Sequence, residues 1–185
     1  MLYRRLAGRT LAAAVLALMP LGTAAAQAGG AKGASLTDAN IAAIVVGANT
    51  IDVEYGKIAQ SRAMNAAVKR FAETMIADHT SVNEQAGKLA AKLSLTPVDN
   101  ATSRTLAEQA RQKRAQLRSL SGAAFDRAYI ENEVAFHQTV LTAIDDALIP
   151  NAQNEELKAL LVAVRPAIAA HLEHAKQIRD SLGAQ

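Results

Sequence analysis

Apolar side chains recur every three or four positions along most of the chain, and they nowhere alternate with polar ones over the length of a strand. This spacing gathers apolar residues on one face of an α-helix, whereas a half-buried strand requires a period of two. The first apolar stripe predicts a helix over about 37–62, and the second predicts a helix over about 65–95 that stops before Pro97. The chain is therefore predicted to be all-α.

Two further long stripes predict helices over about 122–149 and about 154–182. The segment between the second and third long helices is polar and basic, and a few leucines there indicate a shorter helix over about 105–120. Pro166 lies inside the last stripe, but the stripe continues in phase on both sides of it. We therefore expect one kinked helix there rather than two helices.

Four long helices with one apolar stripe each can bury those stripes only by packing together in a bundle. The segment between the second and third long helices is long enough to cross the bundle, which a simple up-down-up-down arrangement would not require. The sequence therefore predicts a ferritin-like four-helix bundle with a short extra helix in that crossover.

The N-terminal segment has the pattern of a secretory signal peptide. A basic start is followed by an apolar run from Leu11 to Leu21 and then by small residues. The run is shorter than the roughly 20 residues that a membrane-spanning helix needs, and without cysteine there can be no lipid attachment at a new N-terminal Cys. We therefore predict a periplasmic or secreted product with no transmembrane anchor after cleavage. The predicted organisation is a signal peptide over 1–28, a flexible linker over 29–35 and a bundle domain over 36–182.

Cleavage would change the charge of the protein. The chain carries 20 Lys+Arg and 17 Asp+Glu, but three arginines lie in the predicted signal peptide, so the mature chain would hold 17 of each. A net charge of zero gives no electrostatic basis for binding nucleic acid. A small ligand, a protein partner and oligomer formation all stay open.

The composition also limits the chemistry. The absence of cysteine excludes disulfides, thiolate catalysis, iron–sulfur clusters and covalently attached c-type haem. There is no glycine-rich phosphate loop and no nucleophile elbow, so nothing indicates a hydrolase or a transferase. The sequence therefore favours a protein without catalytic activity.

The candidate chemistry rests on four histidines, three of which occupy stripe positions on three different long helices. Imidazoles that converge inside a bundle can hold a metal, and the neutral nitrogen suits Zn, Cu, Fe or Ni. Glu54 lies at the edge of the first stripe and Glu133 lies one turn before a histidine, so both could act as carboxylate partners. The candidate metal ligands are His79, His137, His171, His174, Glu54 and Glu133.

The di-iron centre of ferritin-like bundles uses two Glu-x-x-His motifs. This chain has none, and it offers Glu133-x-x-x-His137 and His171-x-x-His174 instead, which argues against a ferroxidase centre. Two main interpretations stay open. One is a non-catalytic binding or stress-associated protein whose histidines and carboxylates form a buried network. The other is a protein that holds a divalent transition metal between its helices, and a haem or organic ligand is a third alternative.

Several segments resemble the bacterial family known as domain of unknown function 4142. They include Asp78-His79-Thr80 and a Gly-x-x-Phe-Asp-x-x-Tyr pattern that begins at Gly122, and the resemblance covers about 36–182. It implies an exported ferritin-like bundle with no established activity, of a kind often labelled as an outer membrane protein. The characteristic positions of the family fall here on Glu54, Asp78, His79, Phe125, Asp126, Tyr129, His137, Pro166 and His171. Arg165 departs from the apolar residue that is usual before the proline.

Overall fold

The computed structural model describes residues 36–183, and within this range the chain forms helices and no strands. The predicted all-α fold is therefore confirmed, whereas the predicted signal peptide and linker lie outside the described residues. None of the described helices has an apolar stretch long enough to cross a bilayer. The helices are α1 (Asp38–Arg62), α2 (Ala66–Lys92), α3 (Ala101–Ser119), α4 (Gly122–Ala143), a π-helix (Ile144–Leu148), α5 (Ile149–Asn151) and α6 (Glu155–Gly183).

Side-chain caps fix where the first three helices begin. Thr37 caps α1, Asn65 caps α2 and Asn100 caps α3, each by accepting a hydrogen bond from a backbone N–H of the first turn. These caps satisfy N–H groups that have no partner inside the helix. The cap at Asn100 is reciprocal with Ser103, so α3 begins at Ala101 rather than near 105 as predicted.

Contacts between helix ends determine the direction of each helix. The backbone N–H of Asn65, just before α2, donates to Asp126 near the start of α4 at 2.8 Å, so these two helices start at the same end. At the opposite end, Asn100 donates to the carbonyl of Asn40 in α1, and Asp38 accepts from the backbone that leads into α6. Helices α1, α3 and α6 therefore run one way, α2 and α4 run the other way, and α3 makes the predicted crossover between α2 and α4.

Two apolar clusters fill the interior of the described part of the chain. One contains Phe71, Phe125 and Tyr129, and the other contains Ile41 and Leu161. Burying a side chain of this size stabilises the fold by about 1.5–3 kcal/mol. Each of the four long helices contributes residues to both clusters or packs against them. The buried residues Asn49, His79, Glu133, His137 and His171 lie between the two segments of their helices. The fold thus holds a polar layer between two apolar ones.

The end of the third long helix differs from the prediction of one unbroken α-helix to about 149. Ile144–Leu148 is a π-helix, in which the N–H of Ile149 donates to the carbonyl of Ile144. Pro150 follows, and because it has no N–H it cannot continue the α-helical bonding pattern. α6, in contrast, continues through Pro166 as the single helix predicted.

Candidate metal centre

Three histidines from three helices meet in the polar layer. His79 of α2, His137 of α4 and His171 of α6 form a nearly equilateral triangle, with ring centroids 5.6 Å (79–137), 5.4 Å (79–171) and 5.5 Å (137–171) apart. All three are buried, with 4%, 1% and 8% of their surfaces exposed. The three rings can each offer one nitrogen such that all three atoms lie within 4.8 Å of one another.

Oxygen acceptors orient the rings of His79 and His137. Nδ1 of His79 lies 2.6 Å from Oδ1 of Asn49, whose amide nitrogen donates to the carbonyl of Val45 and so cannot also face the ring. Nδ1 of His137 lies 3.0 Å from the backbone carbonyl oxygen of Glu133. Because amide and carbonyl oxygens only accept hydrogen bonds, the proton of each neutral ring is on Nδ1 and the lone pair is on Nε2.

The ring of His171 is held through its other nitrogen, Nε2. Its Nε2 lies 2.9 Å from a carboxylate oxygen of Asp78, so the lone pair of the neutral ring is on Nδ1. Nε2 of His137 and Nδ1 of His171 are buried and have no hydrogen-bond partner among residues 36–183, and the buried Nε2 of His79 faces the carboxylate of Asp52. Proteins orient metal-ligating histidines in this way, with one ring nitrogen held by an acceptor and the other left for the ion.

Asp52 of α1 brings a fully buried carboxylate to the same place. Its Oδ2 lies 2.6 Å from Nε2 of His79 and 3.6 Å from Nε2 of His137. Two nitrogen lone pairs that face a carboxylate repel it unless a cation or an additional proton lies between them. The geometry therefore calls for a positive charge at this point.

Glu133 supplies a second buried carboxylate. Its Oε2 lies 3.5 Å from Nδ1 of His137, and Glu133, Asp52 and His137 form a second group whose ligand atoms lie within 4.8 Å of one another. The hydroxyl of Tyr129 is likewise buried, and it has no hydrogen-bond partner among residues 36–183. The layer therefore contains several buried polar atoms that have no hydrogen-bond partner among the described residues.

The pKa values of the two buried carboxyl groups, Glu133 and Asp52, shift in opposite directions. Burial, followed by the charge of Asp52, raises the pKa of Glu133 well above its usual value. Burial, the largest single effect, would raise the pKa of Asp52, but the hydrogen bond and charge of His79, the charge of His137 and a hydrogen bond with Glu133 together outweigh burial and lower the pKa. Burial lowers the pKa of His137 to about 4, so this ring is neutral at physiological pH, which is the form that binds a metal.

Four of the six ligands predicted from the sequence lie in these two groups: His79, His137, His171 and Glu133. The structure places the other two elsewhere. Glu54 forms an ion pair with Arg114 of α3 at the surface, and His174 is exposed and packs edge-on against Phe71 at 5.3 Å.

Asp52 and Asn49 are the site residues that sequence reasoning missed. The predicted stripe of α1 runs through Ile51, so the pattern placed Asp52 beside the core rather than in it. The helix in fact buries a second row next to that stripe, which includes Asn49, Asp52 and Gly56. Two polar residues three positions apart, followed four positions later by a glycine, are the signal that could have revealed this row.

An all-α bundle with a buried centre of histidines and carboxylates is the class of protein that the fold and the site define. The chain belongs to the family described as "Domain of unknown function (DUF4142)", whose model matches residues 22–178. It is also similar to the crystal structure of a DUF305 fragment from Deinococcus radiodurans, with a TM-score of 0.64 and 13% sequence identity over 82% of this chain and 99% of that chain. At this identity the likeness shows the fold alone. No curated protein matches the sequence.

Proposed function

We propose that this protein binds one divalent transition-metal ion through His79, His137 and His171, with Asp52 as the fourth ligand. The observation that carries the proposal is that three anchored rings bring buried nitrogens within 4.8 Å of one another, beside the buried carboxylate of Asp52. Imidazole nitrogens suit Zn, Cu, Ni or Fe, whereas Mg and Ca prefer all-oxygen sites. Glu133 would add a further oxygen. The role is binding rather than catalysis.

The distances support an ion of this kind. A zinc–nitrogen bond is about 2.0–2.1 Å long, and tetrahedral geometry places neighbouring ligand nitrogens about 3.4 Å apart. The atoms that His79, His137 and His171 can offer lie within 4.8 Å of one another, so each ring would move inward by about 1 Å to close on an ion. A bound cation would also remove the repulsion between the Asp52 carboxylate and the facing lone pairs.

A metal-free network is the second candidate, and the 2.6 Å contact between His79 and Asp52 favours it. A second proton on His79 would make an imidazolium that pairs with this carboxylate. In that case the layer would stabilise the fold without binding an ion. We regard export to the periplasm as the setting for either role and a stress-associated role as compatible with both, and the N-terminal pattern supports the export.

The test is titration of tag-free, chelator-treated protein with Zn²⁺, Cu²⁺ and Ni²⁺ in a calorimeter, with Mg²⁺ as the negative control. We expect one transition-metal ion per chain and no response to Mg²⁺. An ion present at about 100 times its dissociation constant should add about 2.7 kcal/mol to the free energy of unfolding. Failure of all three ions to bind or to raise the melting temperature would leave the network interpretation.

Two matched variants on α6 locate the site. His171→Gln should weaken metal binding by at least about tenfold, because it removes a ligand. His174→Gln makes the same change one turn later at an exposed position, and it should bind metal like the parent. Equal affinities in the parent and both variants would refute the proposed ligand set.

A further inference from the structure

An apolar cavity of about 370 Å³ lies beside the histidine centre, and aliphatic side chains such as Val45 and Leu161 form most of its wall. Protein interiors leave few voids larger than a water molecule, so a space of this size is unusual. Its volume falls within the range of about 300–1,000 Å³ that is typical of small-molecule sites. Ile144 and Leu148 line it from the π-helix, and short π-helical turns inside α-helices are frequent at functional sites. The cavity is therefore a candidate binding site.

The polar groups at the inner end of the cavity are directed at other residues. Asn49, His79 and His137 line this end and are buried. The amide of Asn49 contacts the ring of His79 and the carbonyl of Val45, and Nδ1 of His137 lies 3.0 Å from a backbone carbonyl oxygen. Nε2 of each ring faces Asp52, which does not line the cavity. The part of a ligand that lies at this end must therefore be apolar.

The outer end of the cavity is polar. Thr102, Thr105 and Gln109 of α3 line it and are exposed, as is Thr139 of α4. α3 packs mainly against α1 and contacts α4 little, so the cavity opens to solvent between α3 and α4. Hydroxyl and amide groups can both donate to and accept from an uncharged polar group. A ligand can therefore keep one polar group at this opening while the rest of it is buried.

The charge of the wall limits the ligand further. No Lys, Arg, Asp or Glu is among the described residues that line the cavity. Moving a charged group out of water is strongly disfavoured unless an opposite charge or several hydrogen bonds compensate for the lost hydration. The wall therefore disfavours both anions and cations, and it suits an uncharged molecule.

We propose that the cavity binds one small uncharged amphipathic molecule, whose apolar body lies among the aliphatic side chains and whose hydroxyl or carbonyl group lies at the opening beside Thr102, Thr105 and Gln109. This ligand makes no bond to a metal, so the inference is independent of the proposed metal-binding function. A cavity of about 150 Å³ holds benzene, so this one holds roughly a two-ring or ten-carbon compound. Decanol is therefore a suitable test compound, and decanoate and decylammonium are its charged counterparts.

The experiment uses the full chain without metal and N-phenyl-1-naphthylamine, an uncharged apolar dye whose fluorescence rises in apolar surroundings. The dye is titrated first, and decanol, decanoate and decylammonium then compete for it at neutral pH. We expect the dye to bind and decanol to displace it. Decanoate and decylammonium should require at least about tenfold higher concentrations than decanol, because the cavity wall has no partner for either charge.

A matched pair of variants on α6 tests the location. Val164→Phe should fill part of the cavity and weaken dye binding by at least about tenfold, since Val164 lines it. Val162→Phe makes the same change two positions earlier, at an exposed residue that does not line the cavity, and it should bind dye like the parent. Melting curves confirm that both variants are folded. If Val164→Phe fails to fold, Val140→Phe at another lining position replaces it.

Three results would overturn the inference: no dye binding, equal dye binding by the folded lining variant and Val162→Phe, or displacement by decanoate or decylammonium at the same concentration as decanol. None of these results bears on the proposed metal site, because the dye experiment contains no metal. In the same way, failure of the protein to bind a transition metal would leave this inference standing.

Discussion

Acid should destabilise the metal-free protein through His137. Burial lowers the pKa of this ring from 6.5 to about 4, while the nearby charge of Asp52 opposes the shift. The reason is that an imidazolium loses its hydration when it is enclosed by the core. In the unfolded chain, where the ring is in water, the pKa returns to about 6.5.

The sign follows from proton uptake. Between pH 6.5 and pH 4 the unfolded chain binds a proton that the folded protein does not, so the free energy of unfolding falls as the pH falls through this range. One pKa unit corresponds to about 1.36 kcal/mol, so acidification to pH 5 should remove about 2 kcal/mol. Small domains have a total stability of about 5–15 kcal/mol, and a change of this size is readily measured.

The assay is urea unfolding of metal-free protein, followed by the circular dichroism of its helices at pH 7 and at pH 5. The parent should lose about 2 kcal/mol more than His137→Gln between these pH values, because glutamine cannot take up the proton. His174→Gln, which changes an exposed histidine, should lose as much stability as the parent. Equal losses in the parent and His137→Gln would refute the assignment of acid sensitivity to the buried ring.

The remaining predictions concern helix packing and the carboxylates. In urea unfolding, Gly56→Ala should destabilise the protein by about 1–3 kcal/mol, because its Cβ would lie 2.8 Å from Ile76 of α2. Gly47→Ala meets nothing within 4 Å and should stabilise it by up to about 1 kcal/mol, so equal effects would contradict the close packing of α1 on α2. In calorimetry, Asp52→Asn should weaken metal binding by at least about tenfold, whereas Glu54→Gln should leave it unchanged because its carboxylate pairs with an arginine at the surface. If Glu54→Gln weakened metal binding and Asp52→Asn did not, Glu54 rather than Asp52 would be the ligand.

The fold could be predicted because its determinants are local. Stripes of apolar residues at a spacing of three or four identified the long helices, and prolines and capping residues placed their ends within a few positions. The π-helix at Ile144–Leu148 could not be predicted in this way. Only three helical residues follow it, so no later turns of helix reveal a shift in the apolar pattern.

The site was harder to predict because it depends on which neighbours cover each helix. Histidines on the stripes of α2, α4 and α6 were visible as polar residues at apolar positions, and the structure places them together. Asp52 was hidden because α1 contacts α2, α3 and α4 and so buries more than one face. A single stripe describes a helix that is covered on one side, and it fails for a helix that is covered on several sides.

The position of the centre explains why metal binding and stability should be coupled in this protein. Seven of the buried polar atoms that lack a hydrogen-bond partner within 36–183 belong to Asp52, Glu133 and the three histidines. An unsatisfied buried polar atom costs about 1–3 kcal/mol, so apolar residues of similar volume would give a more stable core. The apolar clusters on both sides offset this cost in the metal-free protein. An ion that binds several of these lone pairs at once would remove much of this cost. The polar layer that lowers the stability of the metal-free protein would therefore raise its free energy of unfolding when a metal binds.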